Sequence, residues 1–246
     1  MEIIHFGKKI VGYPSNYINK EFYLSSKKEY RSGWKEEHYP KQLEYADFNY
    51  DLNMKFFESL NSEKFNLYLD NQIKKYKFIQ CFDLKEVSQK WGVYMLVLDK
   101  YNQVYIGQAK NIRQRIVRHW GDWKTLERLI YGDLLSSIIS IDSFGPLDTT
   151  RIYYIETYNN YEVEEKIISK FNDNYLINRT KGGIGSTHNY TADYEATIMT
   201  AVANRRKRDY SKFIDINKFK EIVGDGYKYY VERYPYLKEK DNETCK

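Results

Sequence analysis

The run from Trp91 to Asp99 (WGVYMLVLD), followed after Lys100 and Tyr101 by Asn102 to Ala109 (NQVYIGQA), limits the fold more than any other feature of the chain. Both stretches are rich in β-forming residues and two residues separate them, so the pattern predicts an antiparallel hairpin. The hairpin carries Tyr94 and Tyr105 on adjacent strands. A third strand is expected over 149–157, where TTRIYYIET has the same character. The fold expected from these segments is α+β: a small antiparallel three-stranded β-sheet flanked by helices, with mainly helical N- and C-terminal additions.

The helices come from spacing. After the hairpin, Ile112, Ile116 and Trp120 recur every four residues and form one apolar stripe, with Asn111 placed as a cap and Gly121 as a stop. A later helix over 161–171 carries Val163, Ile167, Ile168 and Phe171 on its apolar side. Further helical stretches are expected over 53–78, 125–137, 191–208 and 217–232, the second interrupted by Gly132. The organisation read from this is an accessory region (1–88), a compact central domain (89–186) and a helical C-terminal extension (187–246).

Composition narrows the class. With 246 residues, 42% hydrophobic, 30% charged and 4 Pro, the chain has the makeup of a globular protein with one sizeable core. No apolar run reaches the roughly 18 residues a membrane span needs, and the opening MEIIHFGKKIVGYP lacks a signal-peptide layout. A cytoplasmic location without membrane association is expected. Cys81 and Cys245 are too far apart in sequence for a C-x-x-C metal pair and suggest no disulfide framework. His5, His38 and His188 have no metal-ligand spacing and read as ordinary surface or loop histidines. The 26 tyrosines are better explained by biased composition than by base stacking.

Net charge is +5, too mild to name a partner, but its distribution is uneven. Between Lys100 and Lys124 six Lys or Arg stand against one Asp, an excess equal to that of the whole chain. On the helix after the hairpin, Arg115 and His119 lie about 40° apart, at the rim of the apolar stripe. An arginine and a histidine held there suit a phosphate, and a solvated basic face explains the same spacing. On the later helix, Glu164 falls about 60° from Ile167, among the apolar side chains, whereas Glu162 and Glu165 fall on the outer face. A carboxylate directed toward the core must be paired or hold a metal; a salt bridge to an arginine is the alternative.

Gly92-Val93-Tyr94 and Tyr105-Ile106-Gly107 resemble the paired motifs of the GIY-YIG nuclease family. The resemblance extends to Arg115 eight residues after Gly107, His119 four further on, Glu164 in a late helix, and Asn178 before a Lys-Gly-Gly turn. It covers about residues 92–183, and Val93 departs mildly from the usual Ile. It implies that Tyr94 is the general base toward water, that Tyr105 shapes the site, and that Arg115 grips the scissile phosphate. It further implies that His119 assists at the nucleophile or phosphate, that Glu164 holds one Mg²⁺ or Mn²⁺ ion, and that Asn178 supports local geometry.

The implied function is a divalent-metal-dependent endonuclease cutting double-stranded DNA, most like the family's type II restriction enzymes. A homing or other mobile-element nuclease and a non-cleaving DNA-binding protein are the alternatives. Segments 1–88 and 187–246 then become DNA-reading parts, and cutting two strands with one site suggests a homodimer on DNA. Lys110, Arg113, Arg118, Lys181, Arg205 and Arg206 are the expected DNA contacts; the run Arg205 to Arg208 equally suits a helix C-terminus. The segment Lys181 to Thr187 (KGGIGST) superficially resembles a phosphate-binding loop, but Ser186 stands where the lysine belongs, so a turn is expected.

Overall fold

The computed structural model describes residues 2–11, 16–25, 39–121, 134–179 and 208–244. The architecture is α+β, built on two antiparallel sheets. Strands β1 (Glu2–His5) and β2 (Lys8–Val11) form a small hairpin. Its turn places Phe6 and Gly7 at positive φ, and a β-carbon on Gly7 would overlap the Asp83 carboxylate.

The main sheet contains β3 (Ile79–Cys81), β4 (Gly92–Leu98), β5 (Gln103–Ala109) and β6 (Arg151–Glu156), in the order β3-β6-β4-β5. It therefore has four strands where the sequence predicted three. The added strand lies in the segment expected to be accessory and mainly helical, and pairs Gln80 with Tyr153 and Cys81 with Ile152. At three residues it is too short to show alternation.

Strand β4 is buried along its whole length because both faces of the sheet are covered. Tyr94, Leu96 and Leu98 join one apolar cluster, and Val93, Met95 and Val97 join another. The period-two alternation of a strand is therefore split between two cores rather than between core and water. The second cluster is closed by α3 (Ser62–Tyr76) and α5 (Asn160–Lys170) through Phe65, Leu69, Ile167 and Ile168. The first is closed by α2 (Tyr39–Glu58), after the short α1 (Lys20–Leu24), and by α4 (Ile112–Gly121).

The expected helix over 53–78 is in fact parts of α2 and α3. Asn61 ends the continuity: its side chain accepts a hydrogen bond from Lys64 N–H at 2.8 Å and starts a new helix. At the C-terminal side, the expected helix over 217–232 is α6 (Ile216–Val223) and α7 (Tyr227–Arg233), followed by α8 (Tyr236–Thr244). Gly224, at φ 53° and ψ -131°, takes a positive-φ conformation that glycine adopts without a β-carbon clash, and it stops α6. Residues 134–137 are not helical; the rest of the expected 125–137 helix up to residue 133, most of 191–208, and the turn at 181–187 lie outside the described residues. No described helix is long and apolar enough to cross a membrane.

Of the basic run at 205–208, only Arg208 is described, and it is 2% exposed. Its guanidinium donates to Asn53 Oδ1 at 3.0 Å, Gln103 Oε1 at 2.9 Å and the Leu176 carbonyl at 3.3 Å. It also stacks over Phe56 and Phe57, with centroid distances of 4.8 and 5.1 Å. Burial lowers its affinity for a proton. Arg208 therefore ties the C-terminal segment to α2 and β5 and faces no solvent ligand.

Candidate active site

Tyr94 stands opposite Gly107 in the hairpin register and Tyr105 opposite Leu96, so the two tyrosines are diagonal neighbours on one face of the sheet. Their ring centroids are 6.2 Å apart. A β-carbon on Gly107 would overlap the Tyr94 phenol, so only glycine lets that ring lie across β5. Gly92 is similarly constrained, since a β-carbon there would overlap the Ile155 carbonyl oxygen.

Helix α4 lies against this face. Asn111 caps it by accepting from Gln114 N–H at 3.1 Å, and Ile112, Ile116 and Trp120 are buried as the stripe requires. That seating brings Arg115 and His119 to the tyrosines. His119 is 3% exposed and its Nε2 lies 2.7 Å from Tyr94 Oη. Its Nδ1 lies 2.5 Å from Asp142 Oδ1. Asp142 sits in a one-turn 3-10 helix (Ile141–Ser143) started by Ser140.

Helix α5 delivers the carboxylate. Glu164 is 6% exposed, whereas Glu162 and Glu165 are exposed, in the arrangement the helical wheel predicts. The apolar side of α5 belongs to the core of the opposite sheet face, so Glu164 reaches the tyrosines from the second layer. Asn178 lines the same space from a segment running beside β5.

Tyr94, Tyr105, Arg115, His119, Glu164 and Asn178 thus line one cleft of about 620 Å³, with Asp142 and Lys110 also on its wall. Lys110 is exposed and its Nζ stands 5.0 Å from the centre of the Trp91 ring. Arg113 and Arg118 are exposed on α4 and are not among the cleft-lining residues. Lys181, Arg205 and Arg206 lie outside the described residues.

The electrostatics follow from enclosure. Burial first, then the neighbouring Tyr105, hold the Tyr94 hydroxyl well above the ordinary tyrosine value, against the pull of Arg115. Tyr105 is pushed up to about 12, by burial most of all. Both phenols are protonated at neutral pH. Burial works to lower the Arg115 pKa, but Tyr94 and Tyr105 more than offset it and leave the guanidinium firmly charged. Tyr94 also hydrogen-bonds Arg115, so two residues one turn apart on the same face of α4 contact it.

Among the described residues, no group of three or more His, Cys, Asp or Glu side chains forms an all-protein metal site. Asp142 is directed at His119, and Glu164 is the other carboxylate on the cleft wall. One buried carboxylate beside an open polar space fits a Mg²⁺ or Mn²⁺ ion that keeps water and phosphate oxygens as most of its ligands. It does not fit Zn²⁺, which takes several His or Cys ligands.

Asp142 was not visible in the sequence. It is 23 positions from His119 and in no periodic pattern, and only the folded loop brings it there. No family model matches the chain, and no curated protein or solved structure matches it.

Proposed function

We propose that this protein is a divalent-metal-dependent endonuclease that hydrolyses phosphodiester bonds in double-stranded DNA, a GIY-YIG-type enzyme acting as a restriction endonuclease. The observation that carries the reading is the convergence of two tyrosines, an arginine, a histidine and a carboxylate on one cleft from four separate elements. Phosphodiester hydrolysis needs an activated water, a cation on the phosphoryl oxygens and relief of charge on the leaving oxygen.

In this scheme Tyr94 accepts a proton from the attacking water and Arg115 holds the phosphate through its planar fork. Glu164 would hold the divalent ion, which when bound neutralises charge on the leaving oxygen. Tyr105 packs beside Tyr94 and keeps its ring in place, and Asn178 fixes the strand that carries Tyr105. Lys110, Arg113 and Arg118 supply phosphate-backbone contacts, and Lys181, Arg205 and Arg206 are assigned the same role. Segments 1–88 and 187–246 read the sequence, and two copies act on the two strands as a homodimer on DNA in the cytoplasm.

The test is incubation with long double-stranded phage DNA and Mg²⁺, beside an EDTA control. Discrete fragments are the expected result. Random degradation would replace the restriction reading with a nonspecific nuclease, and intact DNA at every Mg²⁺ and Mn²⁺ concentration would leave a DNA-binding protein.

A further inference from the structure

The Tyr94 hydroxyl is protonated and enclosed, so it accepts a proton from water only if it passes its own to another group at the same moment. The atom beside it is His119 Nε2, at 2.7 Å. Whether that nitrogen can take a proton depends on where the imidazole already carries one. A neutral imidazole has one N–H and one lone pair, and the partner of one nitrogen decides the role of the other. The partner of Nδ1 is the Asp142 carboxylate at 2.5 Å, which in its ionised form only accepts. The Nδ1–H form is therefore favoured, and the Nε2 lone pair points at Tyr94.

We infer that Asp142 is a positioning residue for the reaction: it fixes His119 in the tautomer that receives the Tyr94 proton and stabilises the imidazolium that results. The inference rests on the nuclease reading of the same cleft. In the relay, a water O–H bond breaks and its proton goes to Tyr94 Oη as the phenolic proton moves to His119 Nε2. The water lone pair forms the new P–O bond, the bond from phosphorus to the leaving oxygen breaks, and that oxygen takes a proton from solvent. His119 then releases its extra proton to solvent, so one water is consumed and the protein is unchanged.

The arrangement also sets what each element contributes. Helix α4 supplies the proton acceptor, and the loop after residue 140 supplies the charge that orients it. His119 is 3% exposed, while the Asp142 side chain retains 20% exposure. The carboxylate thus keeps partial hydration on one side and meets the buried ring on the other.

The test combines a spectrum with a rate. In histidine-selective ¹⁵N NMR of the full chain, with His119 assigned from a His119→Gln sample, the wild type is expected to show the Nδ1–H tautomer. In Asp142→Asn the amide donates to Nδ1, so the Nε2–H form should dominate. Single-turnover cleavage of phage DNA should then fall on the order of 10²- to 10⁴-fold with DNA affinity unchanged, and Asp142→Glu should recover part of the loss. An Nε2–H tautomer in the wild type overturns the inference without any variant having to fold. So does an Asp142→Asn enzyme that cuts at the wild-type rate, and there the nuclease reading survives. A wild type with the expected tautomer that cuts no DNA overturns the nuclease reading and the relay with it.

Discussion

Asn178 holds Ile106 by both of its backbone groups: its Oδ1 accepts from the Ile106 N–H at 2.8 Å and its Nδ2 donates to the Ile106 carbonyl at 2.5 Å. Strand β5 is the edge of the main sheet, and one side-chain amide here does what a neighbouring strand would do. Because Tyr105 is the adjacent residue, the clamp also sets where that ring stands. Asn178→Ala leaves two buried backbone groups without these partners and should cost about 2 kcal/mol. Urea unfolding measures it. A midpoint within error of the wild type would mean that the clamp is dispensable.

Glu164 and Glu165 are adjacent in sequence and opposite in environment, one buried in the cleft wall and one exposed. Glu164→Gln keeps the shape and removes the charge that would hold a divalent ion. Cleavage should be lost while binding in a gel-shift assay persists. Glu165→Gln changes a solvated carboxylate and should cut at the wild-type rate. If the exposed residue proves to be the essential one, the proposed role of α5 is wrong.

Several tyrosines make the fold sensitive to alkali. Tyr50 and Tyr105 are each pushed up to about 12, burial being the largest cause, and burial also holds Tyr94 well above the ordinary tyrosine value. Each favours the neutral phenol in the folded state. Their contribution to stability is complete below the ordinary tyrosine value near 10 and is lost as pH rises from there through the folded values. Denaturant midpoints should therefore stay level with respect to these groups up to about pH 10 and drop between about 10 and 12. Ultraviolet difference titration should show a slowly ionising class that appears only with unfolding. Complete, reversible ionisation of all tyrosines near pH 10 in the folded protein would contradict their enclosure.

What was legible in the sequence was what local pattern encodes. The β4–β5 hairpin follows from two runs of β-forming residues close in sequence, the stripe of α4 and the inward direction of Glu164 from a repeat of 3.6 residues, and the folded chain has all three. Strand β3 was not legible, because Ile79-Gln80-Cys81 is too short to carry a period and takes its meaning from Tyr153 and Ile152 across the sheet. Asp142 was not legible for a related reason: a single Asp in a loop has no pattern, and its function is set by a ring on another element. The split of the 53–78 segment turned on one side chain, Asn61, whose capping bond outweighed an otherwise continuous helical pattern.

Arg208 shows the same limit from the side of charge. In sequence it ends a run of four basic residues, which reads as a phosphate contact or as cations at a helix C-terminus. In the fold it is enclosed by two phenylalanine rings and three acceptors, and joins residues as distant as Asn53 and Gln103. Arg208→Met keeps much of the stacking on Phe56 and Phe57 but removes every donor. The acceptors at Asn53, Gln103 and Leu176 lose these bonds, so the variant should be destabilised by about 3 kcal/mol. Its affinity for DNA, measured by gel shift at a temperature where it remains folded, should match the wild type. A variant with full stability and weakened DNA binding would place Arg208 at the nucleic acid after all.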